Sequence, residues 1–173
     1  VHLTAESKKS ILRRAVFAGL LLLTASLQNT GGLFPEIFGV RAMLLIPAVV
    51  CISMYEREIP GIFYGLFAGL LWDAYSPNPG NINALLLTAA GFVCGALINY
   101  SMRNNIVTAA LLTAAAALVH NTAAWLFACV IPGFAGAGRL YLTFYLPSCL
   151  YTLAVMPAFY FLTRLIINKS REQ

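Results

Sequence analysis

Charge is scarce in this chain: only 10% of its 173 residues are Asp, Glu, Lys or Arg, where a soluble domain of this size carries about a quarter. That shortage excludes an ordinary water-soluble globule. Histidine occurs twice and cysteine four times. Cys51, Cys94, Cys129 and Cys149 all lie inside apolar stretches, none in a Cys-x-x-Cys pair. They read as small packing residues, which leaves no disulfide framework and no metal-ligand spacing. No phosphate-cradling glycine loop is present, because the glycines recur at helix-packing intervals rather than between a strand and a helix. No nucleophile elbow appears, and no motif sets a base beside Ser101 or Ser148. Nothing in these patterns supports an enzyme or calls for a cofactor.

What fills the chain is apolar sequence, 60% of it hydrophobic. Six apolar segments stand between breaks, at about 12–28, 42–55, 61–75, 82–100, 106–131 and 141–167. A crossing needs about 20 apolar residues, so the second and third are short, a length that also suits re-entrant or interfacial pieces. The distribution of cations favours six crossings. With the N-terminus inside, Lys8, Lys9, Arg13, Arg14, Arg57, Arg103, Arg164, Lys169 and Arg171 fall on the cytoplasmic side, against Arg41 and Arg139 outside. That is the asymmetry of the positive-inside rule. It also accounts for the net charge of +5 without nucleic acid. The first segment reads as a span rather than a cleavable signal, since Thr24-Ala25-Ser26 is a weak cleavage site. The expected fold is a single-domain, all-α, polytopic bundle of six transmembrane helices with both termini cytoplasmic.

Small residues mark where helices meet in lipid. Gly61, Gly65 and Gly69 follow one another at steps of four. Ala84, Thr88, Gly91 and Gly95 keep one face of the fourth segment, and Ala110, Ala114, Ala117, Asn121, Ala124 and Ala128 one face of the fifth. Asp73 lies four residues beyond Gly69. Counting from Gly61 sets it roughly 18 Å into its span, where a carboxylate needs a partner, water or a proton. It is expected to face the bundle, near Asn83 or the fifth segment, whose His120 and Asn121 come to a similar depth. Two roles stay open for it: a ligand or ion contact, or a helix cap and structural hydrogen bond. Pro147 and Pro157 are expected to bend or bracket the sixth span.

Two stretches carry a resemblance. One runs Gly61-Ile-Phe-Tyr-Gly-Leu-Phe-Ala-Gly-Leu-Leu-Trp-Asp73, then Ser76-Pro77 and Pro79-Gly80-Asn81-Ile82-Asn83-Ala84-Leu85. The other is Leu146-Pro147-Ser148-Cys149-Leu150-Tyr151-Thr152-Leu153, followed by Pro157-Ala158-Phe159-Tyr160. Together they resemble MreD, the bacterial rod-shape-determining membrane protein family, in which Pro79, Gly80, Tyr151, Thr152 and Pro157 would be motif positions. The resemblance implies a non-enzymatic scaffold in the inner membrane. Its implied partners are MreC, the actin-like MreB, the polymerase RodA and a class B penicillin-binding protein, in the elongation machinery that builds side-wall peptidoglycan. The first stretch is also similar to the substrate-binding S-components of energy-coupling-factor vitamin transporters, and the six-helix architecture is expected to be similar to theirs. In that alternative, Asp73, Asn83, His120, Asn121 and Trp125 would line an outward pocket. A third reading takes Asp73 and His120 as the relay of a small channel or proton-coupled carrier.

Overall fold

The computed structural model describes residues 5–30, 40–76 and 82–172, and the elements among them are helices. Helix α1 covers Ala5–Asn29, α2 Leu45–Glu56, α3 Glu58–Tyr75, α4 Ile82–Tyr100 and α5 Ile106–Trp125. A π-turn, Leu126–Val130, prolongs α5. After a break at Gly133 and Gly136, whose φ of 73° and 97° favour glycine, α6 (Ala137–Leu140) passes through a second π-turn, Tyr141–Tyr145, into α7 (Leu146–Glu172). Both wide turns precede a proline, Pro132 and Pro147, whose missing N–H interrupts the α-helical ladder. Pro157 lies inside α7.

Four of the helical stretches are long and apolar enough to cross a membrane: Lys9–Asn29, Ile82–Tyr100, Ile106–Val130 and Ala137–Ser170. The other two expected spans do not meet that standard on their own. α2 has 12 residues, about 18 Å of helix. α3 has 18, but Glu58 and Asp73 make its ends polar.

Contacts fix how the helices run. At one end of the bundle Arg13 of α1 forms an ion pair with Glu56 of α2. At the other, Gln28 of α1 accepts the Leu45 N–H of α2 at 3.0 Å, so α2 is antiparallel to α1. α3 returns beside α1, with Tyr64 edge-on to Phe17. α4 reverses again, setting Gly91 opposite Gly61 and Ala84 opposite Gly69. α5 starts near the end of α2 and reaches Asn83 with His120. α7 comes back from Arg41, where Ser148 is bound, to Tyr55, where Tyr160 lies at 6.3 Å.

The 12-residue α2 is the centre of the fold. Every residue of α2 except Tyr55 is buried, and α1, α3, α4, α5 and α7 all pack on it. The sequence offers it no polar face, and a helix apolar all round belongs inside. Its ends explain why neighbours must enclose it. A helix leaves backbone N–H groups free at its start and carbonyls free at its finish, and hydrocarbon cannot satisfy them. Here the Leu45 N–H is taken by Gln28 Oε1 and the Met43 N–H by Thr152 Oγ1, at 3.0 and 2.9 Å. At the far end Asn104 Nδ2 donates to the Met54 carbonyl at 3.1 Å.

The tightest packing joins α3 to α4. A methyl added at Gly61 would come within 2.5 Å of the Gly91 carbonyl oxygen, and one at Gly65, Gly69 or Gly91 would come closer still to the facing backbone. Gly95 plays the same part against the single-residue turn between α2 and α3: its added methyl would meet Arg57 C and Glu58 N at 2.6 Å. Arg57 holds that turn at φ 73°, a backbone state costing about 1–3 kcal/mol. Gly91→Ala is expected to lower stability by about 1–3 kcal/mol through overpacking. Gly19→Ala, facing open space, is expected to leave it unchanged; thermal unfolding in detergent, followed by circular dichroism, checks the pair.

Candidate functional site

Asp73 stands two residues before the end of α3, near a bundle end rather than at mid-span as counting from Gly61 predicts. The end at Tyr75 is as expected, but α3 begins earlier, at Glu58, so Asp73 lies about 22 Å from its start. From there its carboxylate reaches the start of α4. Oδ2 accepts the Ala84 N–H and Oδ1 accepts from Asn83 Nδ2, both at 2.8 Å. The side chain therefore caps α4 across the connection between the two helices, where a negative charge also meets the positive end of the helix dipole.

The chain of contacts continues into α5. Asn83 Oδ1 lies 2.9 Å from His120 Nε2. Because Asn83 presents its amide nitrogen to Asp73, its oxygen is the acceptor, and His120 carries its proton on Nε2. The imidazole is buried and stacked on Trp72, with ring centroids 4.6 Å apart and planes at 18°. Its Nδ1 has no partner among the described residues. The order His120–Asn83–Asp73 thus binds α5, α4 and α3 together at one end.

The other predicted polar positions go elsewhere. Asn121, fully buried, turns to the sixth span: its Nδ2 donates to the Tyr145 carbonyl and to Cys149 Sγ, at 3.0 and 2.8 Å. Trp125 Nε1 donates to the Ala137 carbonyl at 2.8 Å, across the Gly133–Gly136 break. The five residues that a transporter would aim into one outward pocket are therefore divided among three separate tasks. The groove that reaches this set does not gather them either. It touches His120, lies between α4 and α5, holds about 230 Å³, and is otherwise walled by apolar side chains such as Leu86, Val93 and Val119. Among the described residues no group of three His, Cys, Asp or Glu side chains comes close enough to hold a metal.

Sequence reasoning passed over Glu56, Gln28 and Asn104. Glu56 is a buried carboxylate paired with Arg13, and the signal for it was faint: it ends an apolar run and looks like any solvated stop. Gln28 is the last residue of the first apolar segment and Asn104 falls between the fourth and fifth, yet both bond the backbone of α2.

The family model described as rod shape-determining protein MreD matches residues 8–170. The chain belongs to the MreD family. No curated protein and no solved structure matches it, so the expected likeness to S-component architecture gains no support.

The two stretches that carried the resemblance have distinct physical roles in this MreD-family chain. The first is the α3–α4 pair: glycines give the close backbone approach, and Asp73 caps the second helix from the end of the first. Its turn positions Pro79 and Gly80 lie outside the described residues. The second stretch holds the entry to α2. Thr152 accepts the Met43 N–H and donates to the Ser148 carbonyl at 2.8 Å, while Ser148 Oγ donates to the Arg41 carbonyl at 2.9 Å. Tyr151 is half-buried on the same helix.

Asp73→Ala removes the cap of α4 and the acceptor of Asn83, and is expected to cost about 1–2 kcal/mol. Asp73→Asn keeps one acceptor oxygen for the Ala84 N–H and is expected to recover part of that loss. Unfolding midpoints of the two variants beside the parent protein decide the order.

Proposed function

We propose that this chain is a non-enzymatic membrane scaffold of the machinery that inserts peptidoglycan into the side wall of a rod-shaped cell. The observation that carries the reading is the family match, which runs through residues 8–170 rather than through one motif. The geometry agrees in kind. Asp73, Asn83, His120, Asn121, Gln28 and Thr152 join helices or cap their ends inside the bundle, and the outward faces present Phe63, Leu66, Leu70, Leu85, Val107 and Leu111 to the surroundings. A protein so arranged acts by contact within the membrane. MreC is the first partner in this reading, with MreB, RodA and a class B penicillin-binding protein in the same assembly.

The same reading places the chain in the inner membrane with six crossings and cytoplasmic termini. Its support is the alternation of the helices, each running back toward the end from which its predecessor came. Supporting it too is the collection of Lys9, Arg13, Arg57, Arg103, Arg164 and Lys169 at one end, against Arg41 and Arg139 at the other. α2 needs no full hydrophobic length in this scheme, since protein rather than lipid surrounds it.

Two measurements test the proposal. Affinity capture from native membranes is expected to recover MreC; recovery instead of an ATPase pair with a bound vitamin would overturn the scaffold reading. Single cysteines at Arg57 and Arg139 are expected to react with an impermeant thiol reagent from opposite sides of the membrane. Labelling of both from one side contradicts the six-crossing map.

A further inference from the structure

We propose that a groove between α1 and α7 at the basic end of the bundle holds an acidic phospholipid. The groove has a volume of about 450 Å³ and is lined by Lys9, Leu12, Arg13 and Val16 from α1 and by Ile166, Lys169 and Ser170 from α7. On α1 these residues stand at i, i+3, i+4 and i+7, one continuous helix face. On α7 they stand at i, i+3 and i+4. The two helices run in opposite directions, so both faces carry their polar groups at the same end and their apolar groups toward the middle of the bilayer.

That gradient matches one kind of molecule. Lys9, Lys169 and Ser170 border the end of the groove where a headgroup phosphate would lie, and no acidic side chain is among the described residues lining it. Arg13 is engaged by Glu56, which leaves the two lysines as the charges available to an anion. Inward from them Leu12 and Val16 remain 60% and 42% exposed, an apolar wall in line with an acyl chain. A free phosphate would use the lysines and ignore that wall; a lipid uses both. Basic pockets between spans are a recurrent site for acidic headgroups. The α4–α5 groove, by contrast, has no cation in its lining.

The test uses the full chain in nanodiscs of equal parts phosphatidylglycerol and phosphatidylcholine, with native mass spectrometry counting the lipids retained on release. Phosphatidylglycerol is expected to be retained in preference. Lys9→Gln and Lys169→Gln are each expected to reduce that preference by about fivefold, and Arg139→Gln, at the opposite end, to leave it unchanged. Leu12→Gln, which keeps every charge, is expected to weaken retention as well. Circular dichroism confirms that each variant keeps its helix content, and the two single lysine variants are read independently. Equal retention of both lipids by the parent protein overturns the proposal, as does undiminished preference in both lysine variants. Full displacement of the lipid by inorganic phosphate, with no effect of Leu12→Gln, would mark the groove as a simple anion site and overturn it too.

Discussion

A short helix in a membrane has two ends it cannot leave in hydrocarbon, and the rest of this bundle is arranged around that constraint. α2 is too short to bring both its termini to water by itself. Its neighbours therefore supply what water would: Gln28 and Thr152 at its start, Asn104 at its finish. Those donors and acceptors come from the end of α1, from α7 and from the connection before α5. Closing them around α2 determines where α1, α5 and α7 must stand. Removing water from this site makes each of those bonds worth more than its surface equivalent, because an orphaned backbone group there has no alternative partner.

The α3–α4 pair answers a different requirement. No hydrophobic effect draws two apolar helices together in lipid, so their association depends on dispersion between closely fitted surfaces. Glycine rows let the two backbones touch, and dispersion falls quickly with any gap. Asp73 then closes the free end of the pair, and Asn83 and His120 pass the connection on to α5. One carboxylate thereby serves as a helix cap and as the anchor of an interhelix chain. Its two oxygens are matched by two donors at the start of α4.

These polar groups serve structure. Asp73, Asn83, His120, Asn121 and Trp125 each hold protein groups, and the outer surface is largely apolar. The looser seams, α4 against α5 and α1 against α7, interrupt that surface with grooves of about 230 and 450 Å³, and they differ in lining: the first is apolar apart from His120, the second ends in lysines.

Composition and periodicity determined a good deal unaided. The all-helical class, the positions of the long spans, the gathering of cations at one end and the glycine faces of the third and fourth segments all follow from local spacing, because lipid forces helices to declare themselves as uninterrupted apolar runs. The proximity of Asp73 to Asn83 was legible as well, since only a short connection parts them. Tertiary structure alone decided that the least convincing segment, 42–55, is the core, that Glu56 is buried against Arg13, and that Asn121 and Trp125 belong to joints away from Asp73. The reason is physical: a run of apolar residues looks the same whether lipid or protein covers it, and a polar side chain carries no mark of its partner when that partner is a backbone group far along the chain.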